Sequence, residues 1–312
     1  METGSDIIPK TDWPSEVAIL VVAYNPKQNL VLQWQGWRQK GYPVWIWDNS
    51  LVALEGPKEL LLGYRPGGFL GQALPSALTQ LQNKGYSHVL YWDQDTRWNQ
   101  DTLNCVSVCY RQQSSTDGES EWLHFSGNPR SHKTLVWVRH TEEGSPESET
   151  VFPASRPVSL VVNSGSLWPI GIILSRMQDM KLFDMDVLDY QMCWAFSFRG
   201  GRIRSFSDVP GLFHPLHVPG KALRVSIGAG KIVAWRHKSH SLRRRLNFYG
   251  NLAKMIVLTL TKGSYFYAWL FTRNLFLGLG VGMMFRFIII FVKSVDLTQN
   301  LVQKDGVILP RS

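Results

Sequence analysis

The stretch His88–Trp98, HVLYWDQDTRW, joins a short apolar run to two aspartates that are separated by one residue. The run from Val89 to Trp92 is typical of a strand that is buried on both faces, as in a parallel sheet. Asp93 and Asp95 follow where such a strand ends. In α/β proteins, ligands bind outside the carboxyl ends of the strands. The stretch therefore predicts a buried strand that presents two carboxylates to a ligand.

Two more strands are predicted before this stretch, and both end in polar residues. EVAILVVAY, Glu16–Tyr24, is a continuous apolar run followed by Asn25. YPVWIWDNS, Tyr42–Ser50, is a second run, and it ends in Asp-Asn-Ser. Segments with helical spacing, LVLQWQGWRQKG and LGQALPSALTQLQNKG, separate the three strands. This alternation predicts a doubly wound α/β sheet with its polar strand ends close together.

The rest of the α/β region is predicted to continue with helices and strands up to about residue 250. DTLNCVSVCYRQQ is predicted to be helical, LVWVRH to form a strand between polar acidic loops, and SRPVSLVVNSGSLWPIGIILSRM to form a strand, a turn and a helix. A further helix is predicted from about Val187, and a strand at GRIRSF. We predict two regions: an α/β domain at 14–250 and a helical C-terminal segment at 251–312.

Composition limits the choice of partners and of compartment. The chain has 312 residues and a net charge of +9, which favours acidic partners such as nucleotide phosphates, nucleic acid or anionic lipid. Its three cysteines predict no disulfide framework and fit a reducing compartment. Cys105 and Cys109 lack a matching zinc-ligand pair, so we interpret them as packing residues. The N-terminal residues lack the pattern of a secretory signal.

The two neighbouring aspartates favour a cation. Carboxylates on one short turn repel each other unless a cation joins them. Mg²⁺ and Mn²⁺ take oxygen ligands and often bridge carboxylates to substrate phosphates. Asp93 and Asp95 therefore fit a diphosphate-bearing substrate, although two aspartates also simply terminate a strand in many proteins.

The order and spacing of several motifs resemble the inverting GT-A glycosyltransferases of family two, especially their rhamnosyltransferase-like branch. The resemblance spans about Val17 to Asn251. The motifs that carry it are VAILVVAYNP, VWIWDNS, LYWDQDTRW, VVNSGSLWP, VLDYQMCWAFSFRGGRI and FHPLH. The resemblance implies a Rossmann-like nucleotide-diphospho-sugar transferase fold.

The resemblance also implies roles for individual residues. The residues implied to bind the nucleotide sugar are Tyr24, Asp48, Gly68 and Asp93. Those implied on the acceptor side are Ser166, Trp168 and Trp194. Asp95 and His214 are implied to bind Mg²⁺ or Mn²⁺, and Asp189 to be the general base. A carboxylate base removes the proton of the acceptor hydroxyl, and a metal neutralises charge on the departing diphosphate.

Some of these roles have alternatives. Asp184 and Asp186 lie close to Asp189 in the sequence and are alternative bases. His214 and His217 stand three apart in a proline-containing loop, where a structural role is the alternative to metal binding. Trp168 and Trp194 are the candidates for stacking on a sugar. Four other tryptophans are interpreted as core or rim residues: Trp45, Trp47, Trp92 and Trp98.

The sequence departs from the family pattern at the glycine-rich stretch and in the helix of Asp189. YRPGGFLGQALPSAL has glycines but lacks the usual asparagines, and Gly68 is the nucleotide-binding candidate there. Gln191 stands where the family has an acidic residue, and Met192 and Ala195 replace an aromatic residue and an arginine. These departures favour an alternative hypothesis, a non-catalytic homologue that binds a nucleotide sugar or a partner.

The C-terminal segment combines cations with apolar runs. WRHKSHSLRRRLNFYGNLAKM contains Arg243–Arg245 and leads into MIVLTLTKGSYFYAWLF and LFLGLGVGMMFRFIIIFVKS. A membrane-spanning helix needs about 20 apolar residues, and Arg286 interrupts the last run. We predict helices that lie in the interface of an anionic membrane. A buried hairpin of a soluble protein and a transmembrane helix are the alternatives.

The resemblance implies an inverting, metal-dependent glycosyltransferase in surface polysaccharide synthesis. The donor is predicted to be a nucleotide-diphosphate sugar, with dTDP-rhamnose as the first candidate, and the acceptor a glycan or lipid-linked glycan. The predicted location is peripheral, on the cytoplasmic face of the inner or plasma membrane. A nucleic-acid-binding protein is a third hypothesis, based on Arg243–Arg245 and the abundant aromatic residues. The basic run leads directly into apolar segments, so we predict a membrane surface and no nucleic-acid partner.

Overall fold

The computed structural model describes residues 12–56, 58–66, 70–114, 121–126, 155–158, 161, 163–178, 187–206, 209–212, 223–227, 230–234 and 242–279. The chain divides into two compact units, Met1–His217 and Val218–Ser312. The first unit is an α/β unit with one mixed β-sheet. The second contains a strand pair and two helices that pack on each other.

An eight-stranded sheet forms the centre of the first unit. Its strands are β1 Val17–Ala23, β2 Val44–Asp48, β3 Leu61–Tyr64, β4 His88–Asp93, β5 Glu121–Phe125, β6 Ser155–Val158, β7 Ser166–Pro169 and β8 Arg202–Phe206. Their spatial order is β3-β2-β1-β4-β7-β5-β8-β6. β3, β2, β1 and β4 are parallel, whereas β7 runs antiparallel to both β4 and β5. β8 is parallel to β5, and β6 is antiparallel to β8.

Helices cover both faces of this sheet. They are α1 Gln28–Gln39, α2 Leu70–Asn83, α3 Gln100–Ser114, α4 Ile170–Gln178 and α5 Leu188–Phe198, with a short 3₁₀ turn at Lys58–Leu60. α1 and α3 share one core with alternate residues of β1, β2, β4, β5 and β7. α2 packs on α4, and α4 packs on α5, over the other face. The predicted α/β architecture with helices on both faces is confirmed.

The apolar pattern of the sequence explains these layers. β1 is buried along nearly all of its length because helices lie on both of its faces. In α1, Val31, Trp34 and Trp37 recur every three residues and form the buried side of the helix. Trp92 projects to the same side as α1 and α3 and stacks on Trp98, with ring centroids 5.4 Å apart.

Cys105 and Cys109 lie in this core, as the sequence predicted. Of the four tryptophans interpreted as core or rim residues, Trp47, Trp92 and Trp98 are buried and Trp45 is half-buried. Trp45 lies at the rim, where the Arg38 guanidinium and the Lys84 ammonium each lie 4.5 Å from its ring centroid.

The antiparallel insertion of β7 between β4 and β5 was not predicted. Short strands of four residues, such as β7, carry little periodicity, and SLWP alone does not reveal its direction or its neighbours. The strand predicted at LVWVRH lies outside the described residues.

The second unit contains a strand pair and a helical hairpin. β9 Leu223–Ile227 and β10 Gly230–Ala234 are antiparallel, and α6 Leu242–Thr261 packs against α7 Tyr265–Leu279. α6 runs through position 250, where the sequence suggested dividing the chain; that division stays a prediction. Among the described residues, no helix is both long enough and apolar enough to cross a membrane.

Gly165 makes the turn into β7 possible. Its φ is +84°, in the left-handed region that favours glycine. Its N–H donates to the Tyr91 carbonyl at 2.9 Å, and its carbonyl accepts from the Phe125 N–H at 2.7 Å. A Cβ atom at this position would collide with the Phe125 carbonyl oxygen. The turn therefore requires glycine for its conformation and for its close approach to β5.

We predict that Gly165→Ala lowers the free energy of unfolding by about 3 kcal/mol, because it combines a strained φ with a backbone collision. Urea unfolding followed by tryptophan fluorescence measures this loss. Gly36→Ala is the matched control: Gly36 lies inside α1 with open space around it, and alanine should stabilise the helix by about 0.5–1 kcal/mol. Equal midpoints for Gly165→Ala and the wild type would contradict the role of this turn.

Candidate functional site

The carboxyl ends of β1, β2 and β4 are tied together by side-chain hydrogen bonds. The Tyr24 N–H donates to Gln94 Oε1 at 2.7 Å, which links the end of β1 to the residue after β4. The Asn25 N–H donates to Ser50 Oγ at 2.8 Å, which links β1 to the loop after β2. Asn25 has a φ of +45°, a conformation that asparagine tolerates better than most residues. The polar strand ends therefore converge, as the sequence predicted.

Asp48 organises the loop that follows β2. Its carboxylate is fully buried and accepts the Ser50 N–H at 2.9 Å and the Leu54 N–H at 2.8 Å. Its carbonyl accepts the Arg65 N–H at 2.9 Å. Each carboxylate oxygen accepts one backbone N–H, so Asp48 fixes the loop after β2; its nucleotide-binding role stays a prediction. Tyr24 is exposed beside it and keeps a free surface for a ligand.

Asp93 is held by groups of the sheet. The buried Tyr91 hydroxyl donates to Asp93 Oδ1 at 2.9 Å. Residues 91 and 93 share a face of β4 because side chains alternate along a strand. The Asp93 N–H donates to Ser164 Oγ at 3.0 Å, and Ser164 Oγ also bonds Thr96 Oγ1 at 2.7 Å. Asp93 is therefore fixed at both its backbone and its carboxylate.

The loop before β7 brings α5 to the same place. The Asn163 N–H donates to Asp189 Oδ1 at 3.4 Å, and Asp189 lies in the first turn of α5. The next residue of the loop, Ser164, is the one bonded to Asp93. One short loop thus connects Asp189 to the end of β4.

Three carboxylates influence the Tyr91 hydroxyl, which donates to one of them, Asp93. Burial raises the pKa of Tyr91 well above its ordinary value, and the negative charges of Asp93, Asp189 and Asp95 raise it further. The phenol consequently keeps its proton and continues to donate to Asp93. The loop before β7 therefore brings Asp189, at the start of α5, close to the end of β4, where Asp93 and Asp95 follow each other in sequence.

The residues present fit a divalent cation that is completed by its substrate. Asp95 is half-buried and has no hydrogen-bond or ion-pair partner within the described part of the chain. Across those same residues, no group of three or more His, Cys, Asp or Glu side chains is arranged to hold a metal ion. Mg²⁺ commonly uses only one or two carboxylates and takes its other ligands from substrate phosphates and water.

The structure corrects the predictions on the acceptor side. Trp168 is fully buried and stacks on Tyr91, with centroids 5.1 Å apart, while its edge meets Trp122. Trp194 is also buried and stacks on Phe198. Neither ring has a free face for a sugar, because the apolar packing of the sheet and α5 occupies it. Ser166 is fully buried in β7.

Several predicted residues lie outside the described part of the chain. These are Gly68, His214, His217, Asp184 and Asp186. Their proposed roles stay predictions.

Four further residues that hold the site were not predicted. Tyr91, Gln94 and Ser164 make the contacts described above, and Asn163 bonds the Asp189 carboxylate through its backbone. Alternation along the strand was a usable signal for Tyr91, since it stands two residues before Asp93. For the other three, no local pattern distinguishes a site residue from an ordinary loop residue.

Comparison with known proteins gives distant structural likeness only. No family model matches the sequence, and no curated protein matches it. A crystal structure of S. aureus TarS residues 1–349 is similar with a TM-score of 0.39 and 14% identity, covering 63% of this chain and 59% of that chain. The same protein in complex with UDP-GlcNAc is similar with a TM-score of 0.47 and 15% identity, covering 84% of this chain and 72% of that chain. Identities this low do not indicate a shared function.

We predict that Tyr91 makes stability fall at high pH. Above pH 10 the unfolded phenol ionises while the native one keeps its proton, so the native state binds more protons and loses stability as pH rises. Tyr91→Phe should cost about 1 kcal/mol at neutral pH through the lost hydrogen bond. It should also make the decline above pH 10 shallower by up to about 1.4 kcal/mol per pH unit.

Urea unfolding at pH 8 to 11 measures both effects. Tyr265→Phe, which removes an exposed phenol in the second unit, is the control. The same pH dependence in Tyr91→Phe and the wild type would contradict a buried, proton-retaining Tyr91.

Proposed function

We propose that this protein is an inverting glycosyltransferase that moves a sugar from a nucleotide-diphosphate donor to a glycan or lipid-linked glycan. The observation that carries the proposal is that Asp93, at the carboxyl end of a parallel strand, is joined to Asp189 through the loop of Asn163 and Ser164. This end of an α/β sheet is where ligands bind. Carboxylates there suit a metal-bound diphosphate on one side and a general base on the other.

The donor is assigned to the side formed by β1, β2 and β4. Tyr24 is exposed there, and the loop shaped by Asp48 lies beside it. Asp95, assisted by Asp93, would hold Mg²⁺ or Mn²⁺, with His214 as a further proposed ligand. When bound, the cation supplies a positive charge that stabilises the departing diphosphate.

Asp189 is proposed as the base. Its half-buried carboxylate lies at the start of α5 and accepts the Asn163 N–H. It takes the proton of the acceptor hydroxyl while that oxygen bonds to the anomeric carbon of the sugar. The bond from the anomeric carbon to the diphosphate oxygen breaks, and the nucleotide diphosphate leaves with the electron pair. A single displacement of this kind inverts the anomeric configuration.

The donor nucleotide is open to direct test. dTDP-rhamnose remains our first candidate, on the resemblance of the motifs to the rhamnosyltransferase-like branch. UDP-GlcNAc is the second, since it is the ligand in the structure of TarS that this fold resembles. The second candidate function is a non-catalytic nucleotide-sugar-binding protein, favoured by Gln191, a buried uncharged residue two positions after Asp189.

We predict that Asp95→Asn weakens metal-dependent nucleotide binding at least tenfold, because the amide removes the charge that attracts the cation. Titration calorimetry with dTDP, UDP and GDP, each with and without Mn²⁺, measures this effect. Asp101→Asn is the matched control, since Asp101 is an exposed carboxylate on α3. Nucleotide binding that is independent of Mn²⁺ and unchanged in Asp95→Asn would contradict the metal assignment.

Absence of binding by all three nucleotides to folded wild type would overturn the proposed donor site. Binding without sugar transfer or hydrolysis would favour the non-catalytic alternative. Asp189→Asn separates these cases further, since it should retain nucleotide binding and lose turnover.

We also propose that the helical hairpin of the second unit docks on an anionic membrane, at its cytoplasmic face and without crossing it. Val257 and Tyr265 are 61% and 71% exposed, and Leu260 is exposed beside them. Lys254 and Lys262 are exposed on the same hairpin. Apolar side chains flanked by lysines are typical of helices that lie in a membrane interface. Such docking places a transferase near a lipid-linked acceptor.

Flotation with phosphatidylcholine vesicles, with and without phosphatidylglycerol, tests this docking. We expect the wild type to float only with anionic vesicles and Val257→Glu to float at least threefold less, because a carboxylate resists burial in the interface. Leu32→Glu makes the same kind of change at an exposed apolar residue of α1 and is the control. Wild type that stays wholly soluble with both vesicles would contradict the proposal.

A further inference from the structure

Asn163 carries a buried side-chain amide that no protein group satisfies. The residue is 3% exposed. Both Oδ1 and Nδ2 lack a hydrogen-bond partner within the described part of the chain. Native proteins leave few buried polar groups unpaired, and each such group calls for an explanation such as an absent ligand or water.

The backbone of Asn163 lies next to the Asp189 carboxylate. Its N–H donates to Asp189 Oδ1 at 3.4 Å, and its carbonyl accepts the Ser166 N–H at 3.1 Å. The adjacent Ser164 bonds the Asp93 N–H. The backbone of Asn163 is thus anchored on both sides, which leaves the side chain as the part of the residue without a partner.

The chemistry of an amide selects a particular kind of occupant. A carboxamide offers one acceptor oxygen and two N–H donors. A cation would satisfy only the oxygen, and an anion would satisfy only the N–H groups and would be repelled by Asp189. A hydroxyl oxygen accepts from the Asn163 N–H, and its single proton then remains available for donation to the Asp189 carboxylate.

We infer that Asn163 is an acceptor-binding residue, whose carboxamide holds the attacking hydroxyl against Asp189. The inference rests on the proposed function, and it adds a residue to the acceptor side, from which Trp168 and Trp194 were removed because other aromatic rings pack against theirs. The hydroxyl belongs to the acceptor glycan during transfer and to water during hydrolysis of the donor. Asn163 is therefore a binding group for the nucleophile, separate from the groups that bind the nucleotide.

Donor hydrolysis in the absence of an acceptor tests this inference, with water as the hydroxyl. The assay uses whichever of dTDP-rhamnose, UDP-GlcNAc or GDP-mannose matches the nucleotide that binds the wild type. Asn163→Leu keeps a similar side-chain volume and removes both hydrogen-bonding groups; Asn163→Ala is the second variant if leucine impairs folding. Asn83→Leu makes the same change at an exposed asparagine at the end of α2 and is the control.

We expect hydrolysis at saturating donor to fall at least tenfold in the Asn163 variants, with nucleotide Kd unchanged within twofold. The melting temperature should stay the same or rise, because an unpaired buried amide is replaced by apolar atoms. A merely structural Asn163 would give the opposite pattern, with a lower melting temperature and an unchanged turnover per folded molecule.

Wild-type turnover in folded Asn163→Leu or Asn163→Ala would overturn the inference and leave the proposed function standing. Failure of the wild type to bind any nucleotide would overturn the proposed function and the inference together. Wild type that binds the nucleotide but neither hydrolyses the donor nor transfers its sugar would overturn the inference and favour the non-catalytic alternative, and it would leave the donor site in place.

Discussion

The candidate site depends on one backbone constraint, the glycine turn that lets β7 lie between β4 and β5. Gly165 bonds the carbonyl of Tyr91 on one side and the N–H of Phe125 on the other. The space that a Cβ would occupy is filled by the Phe125 carbonyl. This turn brings Asn163 and Ser164 to the carboxyl end of β4. Through these two residues it links Asp93 to Asp189.

A row of polar side chains crosses one face of the sheet and ends at Tyr91. Tyr91, Ser166, His124 and Ser205 are in register across β4, β7, β5 and β8. His124 Nδ1 and Ser205 Oγ are 3.0 Å apart, and Tyr91 donates to Asp93. Stacking of Tyr91 on Trp168 holds the phenol in place. Rigid support of this kind keeps charged side chains in a fixed geometry before any ligand arrives.

Sequence patterns correctly predicted the parts of the fold that carry a strong local signal. Long apolar runs such as Val17–Ala23 and His88–Asp93 are strands for the reason first given, burial on both faces. The roles assigned to Trp168 and Trp194 were wrong for a physical reason. An aromatic residue next to a site motif has the same local pattern whether it faces a ligand or the core, and only packing decides between them.

The sequence by itself determined the alternation of strands and helices and the convergence of the polar strand ends, since both follow from residue type and periodicity along the chain. Only the tertiary structure decided which distant residues meet. The direction of β7, the link from Asp93 to Asp189 and the place of Asn163 depend on contacts between residues about 26 to 81 positions apart. No local pattern encodes such contacts, because they arise from how whole elements pack around one core.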